Sequence, residues 1–178
     1  MAEAVAIGIL TLLVSGLLRT QARIVAALRQ LQPPPGVTTG AHGAWEGGAK
    51  QGAVAPEVWG VDLDGRAVHV TTDQHRVLAF LTSGCASCGW WWQQLASAGP
   101  TMVPGLVVVT PDPQTDAPED IRALWRPGLT VVMSSDAWEH YGVRAGSSFV
   151  VIGDDRIQAA GTAADWDGLV ALLSAASA

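Results

Sequence analysis

Charge is scarce in this chain. Asp, Glu, Lys and Arg make up 15% of its 178 residues, against roughly 25% in ordinary soluble domains, while apolar residues reach 49%. That balance excludes disorder of the whole chain, which needs low hydrophobicity and high charge. Basic side chains are the scarcer sign: ten Lys and Arg against sixteen Asp and Glu leave a net charge of −6. No nucleic-acid partner is expected, because phosphate backbones are bound through a basic excess. Only two cysteines are present, too few for a disulfide scaffold or an all-cysteine zinc centre. The length leaves room for one domain and an appendage, which excludes a fusion of two enzymes. No internal repeat is visible.

The longest uncharged apolar run is AVAIGILTLLVSGLL, Ala4 to Leu18, between Glu3 and Arg19. A helix rises about 1.5 Å per residue and a hydrocarbon core is about 30 Å thick, so fifteen residues are a few short of a full span. Met1, Ala2 and a snorkelling Arg19 make up part of the difference. A cleaved signal peptide would want a basic start and a small-x-small cleavage site, and neither is evident. Residues 4–18 are therefore read as an uncleaved single-pass membrane anchor, with a cleaved signal and a buried soluble helix as the alternatives. The helical pattern continues past Arg19, since Leu10, Leu17, Ile24 and Leu31 recur every seven residues. Residues 1–31 thus form the anchor and an extension, which either lies on the bilayer surface or offers a seam to a partner helix. Arg19, Arg23 and Arg29 after the span place the C-terminal domain in the cytoplasm by the positive-inside rule.

Residues 32–53 read as a linker. Pro33, Pro34 and Pro35 stop the helix, and six glycines follow before Val54. His42 and Trp45 are its bulky side chains and are assigned no chemistry.

Residues 54–178 alternate short β-branched runs with helical stretches, the pattern of an α/β sheet covered by helices. Strands are expected at Val58 to Asp62, Ala67 to Val70, Val77 to Thr82, Leu106 to Thr110, Thr130 to Met133, Phe149 to Ile152 and Arg156 to Ala160. Asp64-Gly65 turns an opening hairpin, and Gly153-Asp154-Asp155 a closing one. Helices are expected at Ala86 to Ala98, Pro118 to Trp125, Ala137 to Tyr141 and Ala163 to Ala176.

The chemistry sits in CASC. Cys85 and Cys88 follow the apolar run VLAFLTSG and open a helix. Two cysteines placed at random in such a chain take this spacing roughly one time in ninety. At a helix start the dipole and the unpaired N–H groups stabilise an anion, so Cys85 is expected to be the attacking thiolate. Cys88, one turn on and on the same face, can close the ring and release a mixed disulfide. Ala86 and Ser87 carry no charge, which leaves the dipole dominant. A zinc site would need two more ligands from His42, His69, His75 or His140, none of which has a histidine partner at i+3 or i+4, so no metal and no cofactor is expected. Two buried structural thiols are the other alternative.

With these residues in place, the domain resembles the membrane-tethered thioredoxin-like proteins of the cell envelope (TlpA/ResA-like). That group includes the cytochrome c maturation reductases and the methylamine-utilisation accessory protein MauD, the closest branch. The matching stretches are APEVWGVDLDGRAV at Ala55 to Val68, FLTSGCASC at Phe80 to Cys88 and YGVRAGSSFVVIGDDRI at Tyr141 to Ile157. The resemblance implies a thioredoxin-like fold with an N-terminal β-hairpin extension, and a disulfide oxidoreductase with Cys85 as nucleophile and Cys88 as resolving thiol. Its partner would be a protein disulfide or dithiol, and the domain would lie outside the cytoplasm, against the charge rule.

The chain departs from that pattern in three places. The family's cis-proline, which faces the disulfide, would fall near Ser147, where a trans peptide is expected. The buried acid six residues before the first cysteine is replaced by Ala79, leaving proton transfer to water or Thr82. The helix proline five residues after Cys88 is replaced by Gln93. Trp90, Trp91 and Trp92 follow the motif directly. Successive helical residues are about 100° apart, so three span about 200° of helix surface and at least one is expected to be exposed: either one or two are core with the third partly covered, or they form an aromatic patch that grips a protein partner or the membrane surface. Thr82 also stands three before Cys85, as in the T-x-x-C motif of peroxiredoxins, but the proline that should precede it is missing and no arginine stands three before Phe149, Arg144 being two residues too early. Two functions follow: a tethered thiol-disulfide oxidoreductase maturing an envelope enzyme, or a noncatalytic subunit docking through Trp90 to Trp92.

Overall fold

The computed structural model describes residues 48–98, 102–144 and 146–177. The expected anchor, its heptad stripe and most of the linker lie outside the described residues. Among the described residues no helix is long and apolar enough to cross a membrane.

Among the described residues seven strands and four helices follow one another: β1 (Val58–Val61), β2 (Ala67–Val70), β3 (Arg76–Phe80), α1 (Ala86–Ala98), β4 (Leu106–Thr110), α2 (Pro118–Leu124), β5 (Thr130–Met133), α3 (Ser135–His140), β6 (Ser148–Gly153), β7 (Arg156–Thr162) and α4 (Trp166–Ala176). The strands form one sheet in the order β2-β1-β5-β4-β3-β6-β7. β3, β4 and β5 run parallel, each joined to the next through a helix, and β6 and β7 return antiparallel. The β1–β2 hairpin joins the sheet through one register pair, Val61 opposite Met133.

Strand alternation sorts the core into two layers. Val77, Ala79 and Leu81 face one side with Cys88, Trp91, Trp92 and Leu169, while Leu78 and Phe80 face the other with Ala137 and Tyr141. Burial pushes the Tyr141 phenol above its ordinary range, and its hydroxyl donates to the Pro56 carbonyl oxygen at 2.5 Å. Burying these apolar faces is the main stabilising force on the fold.

Element ends shift by a few residues, for local reasons. α3 starts at Ser135 rather than Ala137 because the Ser134 hydroxyl caps it, accepting from the Ala137 N–H at 3.2 Å. α4 starts at Trp166 rather than Ala163 because Asp165 accepts from the Gly168 N–H at 2.9 Å. β3 ends at Phe80, two residues short of Thr82, although Leu81 N–H still donates to Val109. The Asp154-Asp155 turn has positive φ at both residues, 51° and 57°, as a two-residue hairpin between right-twisted strands requires. The end of the linker is not a free tether: Gly52 and Ala53 pair with Ile157, and Ala49 N–H donates to the Tyr141 carbonyl.

Candidate active site

β3 ends at the rim of the sheet and hands the chain to α1 through the loop that carries Cys85. The Gly89 N–H donates to the Cys85 carbonyl oxygen at 3.0 Å, which makes Cys85 the N-cap of α1. Its sulfur accepts from the Cys88 backbone N–H at 3.1 Å, the position where a capping serine or aspartate oxygen would sit. An anion on this sulfur therefore meets both a hydrogen-bond donor and the positive end of a helix. Cys85 and Cys88 are joined as a disulfide with Cα atoms 5.1 Å apart. Cys85 is partly exposed, and Cys88 is fully buried beneath it. That asymmetry suits an outer sulfur open to a substrate and an inner one that closes the ring.

Two expected neighbours, Ser87 and Ser147, meet. Ser147 donates its hydroxyl to Ser87 Oγ at 2.7 Å, and Ser87 Oγ lies 3.1 Å from Cys85 Sγ. Ser147 is buried, at φ 61°, a left-handed conformation uncommon for a residue with a side chain. It is pinned there because its carbonyl accepts from the Ala163 N–H at 3.0 Å. No peptide bond among the described residues is cis. Thr82 reaches Cys88 rather than Cys85, with Oγ1 3.9 Å from the buried sulfur. Ala86 is exposed and contributes backbone alone. Ala79 is buried and apolar, so no acid lies beneath the motif at that position.

Of the three tryptophans two are core and the third is partly covered, so Trp91 and Trp92 offer no surface to a partner and the aromatic patch is not formed. Trp91 and Trp92 are 0% and 1% exposed. Trp91 packs edge-on against Phe149 and Trp166, and its indole N–H donates to the Ala163 carbonyl at 2.8 Å. Trp92 donates to the Thr82 carbonyl at 3.2 Å. Only Trp90, edge-on to Trp91, keeps part of its surface. Two consecutive helical residues are both covered because Trp91 meets β6, α4 and the loop before α4, while Trp92 turns back to the loop after β3.

Two further residues belong to the site. Gly146 packs on the disulfide itself: a Cβ there would lie 2.9 Å from Cys85 Sγ and closer still to Cys88 Sγ. Asp116, on the loop after β4, is buried and accepts from both the N–H and the hydroxyl of Ser83, two residues before Cys85. Gly146 could have been found as the residue beside the position that faces the motif. Asp116, thirty-three residues from its partner, leaves no local signal. At the head of the same loop the Ser135 hydroxyl first, then Thr115 and the Gln114 N–H, hold the Asp112 carboxyl below its ordinary value.

The fold compares directly with solved thioredoxin-like structures. A Chlorobium tepidum protein assigned as the thiol:disulfide interchange protein DsbE aligns at a TM-score of 0.56 with 21% identity, covering 73% of this chain and 99% of that one. A thioredoxin-like protein from Aeropyrum pernix aligns at 0.52 with 17% identity, covering 66% and 88%. A peroxiredoxin-like protein from Aquifex aeolicus aligns at 0.55 with 16% identity, covering 72% and 88%. The chain thus has a thioredoxin-like α/β fold with a mixed sheet. No protein-family model matches it, and no curated protein matches it.

Proposed function

We propose that this protein is a thiol-disulfide oxidoreductase that exchanges disulfides with a protein substrate through Cys85 and Cys88. The observation that carries this reading is the placement of a partly exposed Cys85 at the N-cap of α1, its sulfur on the Cys88 N–H and bonded to the buried Cys88. In the oxidising direction a substrate thiolate attacks Cys85 Sγ. The Cys85–Cys88 bond breaks, a mixed disulfide forms, and Cys88 leaves as a thiolate that takes a proton. A second substrate thiolate then attacks the substrate sulfur of that bond and releases Cys85 as a thiolate, so the substrate is oxidised by two electrons and the pair reduced by two. The reducing direction is the same sequence reversed: Cys85 attacks a substrate disulfide and Cys88 resolves the intermediate.

Following the MauD-like resemblance, the protein is tethered by residues 4–18, holds its domain outside the cytoplasm and acts in the maturation of an envelope enzyme. Support comes from the apolar run and from the CASC chemistry, since disulfides persist in oxidising compartments. A reporter fused after Ala178 that matures only outside the cytoplasm is the expected result; maturation only inside would overturn the sidedness.

Cys88→Ser tests the exchange directly. Without its resolving thiol, reduced Cys85 should attack substrate disulfides and accumulate as mixed disulfides with those proteins, each attack releasing one substrate thiolate, seen as reducible bands on non-reducing gels and absent from Cys85→Ser. A noncatalytic docking subunit is the second reading, favoured by the buried Ala79 where an acid would serve proton transfer. It expects no adduct on Cys88→Ser. A peroxidase is disfavoured because Thr82 turns to Cys88, and among the described residues Ser87 alone brings a side-chain hydroxyl into hydrogen-bond reach of Cys85.

A further inference from the structure

We propose that Ser147 is a positioning residue that, through Ser87, sets the acidity of the Cys85 thiol. The inference deepens the exchange reading and rests on it for its functional meaning. Three atoms stand in sequence: Ser147 Oγ donates to Ser87 Oγ at 2.7 Å, and Ser87 Oγ lies 3.1 Å from Cys85 Sγ. A hydroxyl has one proton to give. Because Ser147 supplies the proton between the two serines, the Ser87 proton is left to point at the sulfur. When the disulfide is reduced and Cys85 loses its proton to water, the thiolate then receives a second donor beside the Cys88 backbone N–H. Hydrogen bonds to an ion are stronger than neutral ones, and a chain of two polarises each member.

The geometry explains an otherwise unfavourable backbone. Ser147 is buried and held at φ 61°, a conformation that glycine would adopt without strain. Serine there keeps a hydroxyl over the motif from the opposite loop. The Ala163 N–H on its carbonyl and the Trp91 indole on the Ala163 carbonyl hold the backbone that carries that hydroxyl. Among the charged and titratable groups on the surrounding elements, Cys88 is the disulfide partner and Asp116 is turned to Ser83. Arg144 is exposed on the loop before Gly146. None of the hydrogen bonds or ion pairs among the described residues joins Asp116 or Arg144 to the Cys85 sulfur.

The test is the pH profile of iodoacetamide alkylation of Cys85 in the reduced full chain, from about pH 4 to pH 9. Ser87→Ala should slow alkylation near pH 6 by about tenfold, the loss of one hydrogen bond to an ion. Ser147→Gly removes the hydroxyl while easing the backbone, so folding is preserved, and should slow it by about two- to threefold. Ser87→Thr, which keeps the donor, should hold the wild-type profile. Adding Ser147→Gly to Ser87→Ala should change nothing further, because the supporting bond has no donor left to align. An unchanged profile in Ser147→Gly, the same added factor in both backgrounds, or a Ser87→Thr profile as displaced as that of Ser87→Ala would each overturn the relay. Failure of the exchange reading looks different: the serine variants shift the profile as stated, yet Cys88→Ser traps no partner.

Discussion

At Gly146 a single methyl group would decide whether the loop can lie on the disulfide. The sulfurs it would strike belong to a closed ring and cannot swing aside as the tip of a flexible chain could. Gly146→Ala should therefore destabilise the oxidised protein by about 1–3 kcal/mol, the range for overpacking a tight site, with urea unfolding as the measurement. A wild-type midpoint would mean that the loop stands clear of the disulfide. Ser147, its neighbour, shows why part of the site was hard to read. A missing proline is visible in the sequence, but a serine that substitutes a side-chain hydrogen bond for it is not. Asp116 is hidden for another reason, since its partner Ser83 is distant in sequence and no motif links them.

Among the elements, α1 carries most of the site. Its first residue boundary, its N-cap sulfur and its two buried tryptophans together hold the loop that presents Cys85. The helix and its CxxC spacing were legible because an apolar strand runs straight into a glycine and the motif. So was strand placement, because β-branched runs bounded by turn residues have few alternatives. What periodicity could not reveal was which of three adjacent tryptophans is covered, because Trp91 meets Phe149, Ala163 and Trp166, all distant in sequence. Trp91→Ala should lose about 3–5 kcal/mol of unfolding free energy, whereas Trp90→Ala should lose less than half as much. Equal losses would mean that Trp90 is as deeply packed as its neighbour.

At the scale of the whole molecule, an acidic thioredoxin-like domain follows an apolar N-terminal run and a Pro/Gly-rich stretch. The fold class was readable from the alternation of elements. Sidedness was not, because the arginines after the apolar run and the redox chemistry of CASC point to opposite compartments. The end of the Pro/Gly-rich stretch also belongs to the domain, as its pairing with Ile157 shows, although its composition reads as linker throughout. Backbone pairing needs no particular side chain, so composition could not reveal it.

The central claim is that Cys85 and Cys88 are a working redox pair, and their equilibrium reduction potential tests it most directly. The full chain would be titrated against glutathione and its thiols trapped by alkylation. A single two-electron transition between about −270 and −120 mV, the range of known exchange proteins, is the predicted result. A potential below about −300 mV, or thiols that never pair, would contradict the account and leave a structural cross-link or an inactive site in a docking subunit.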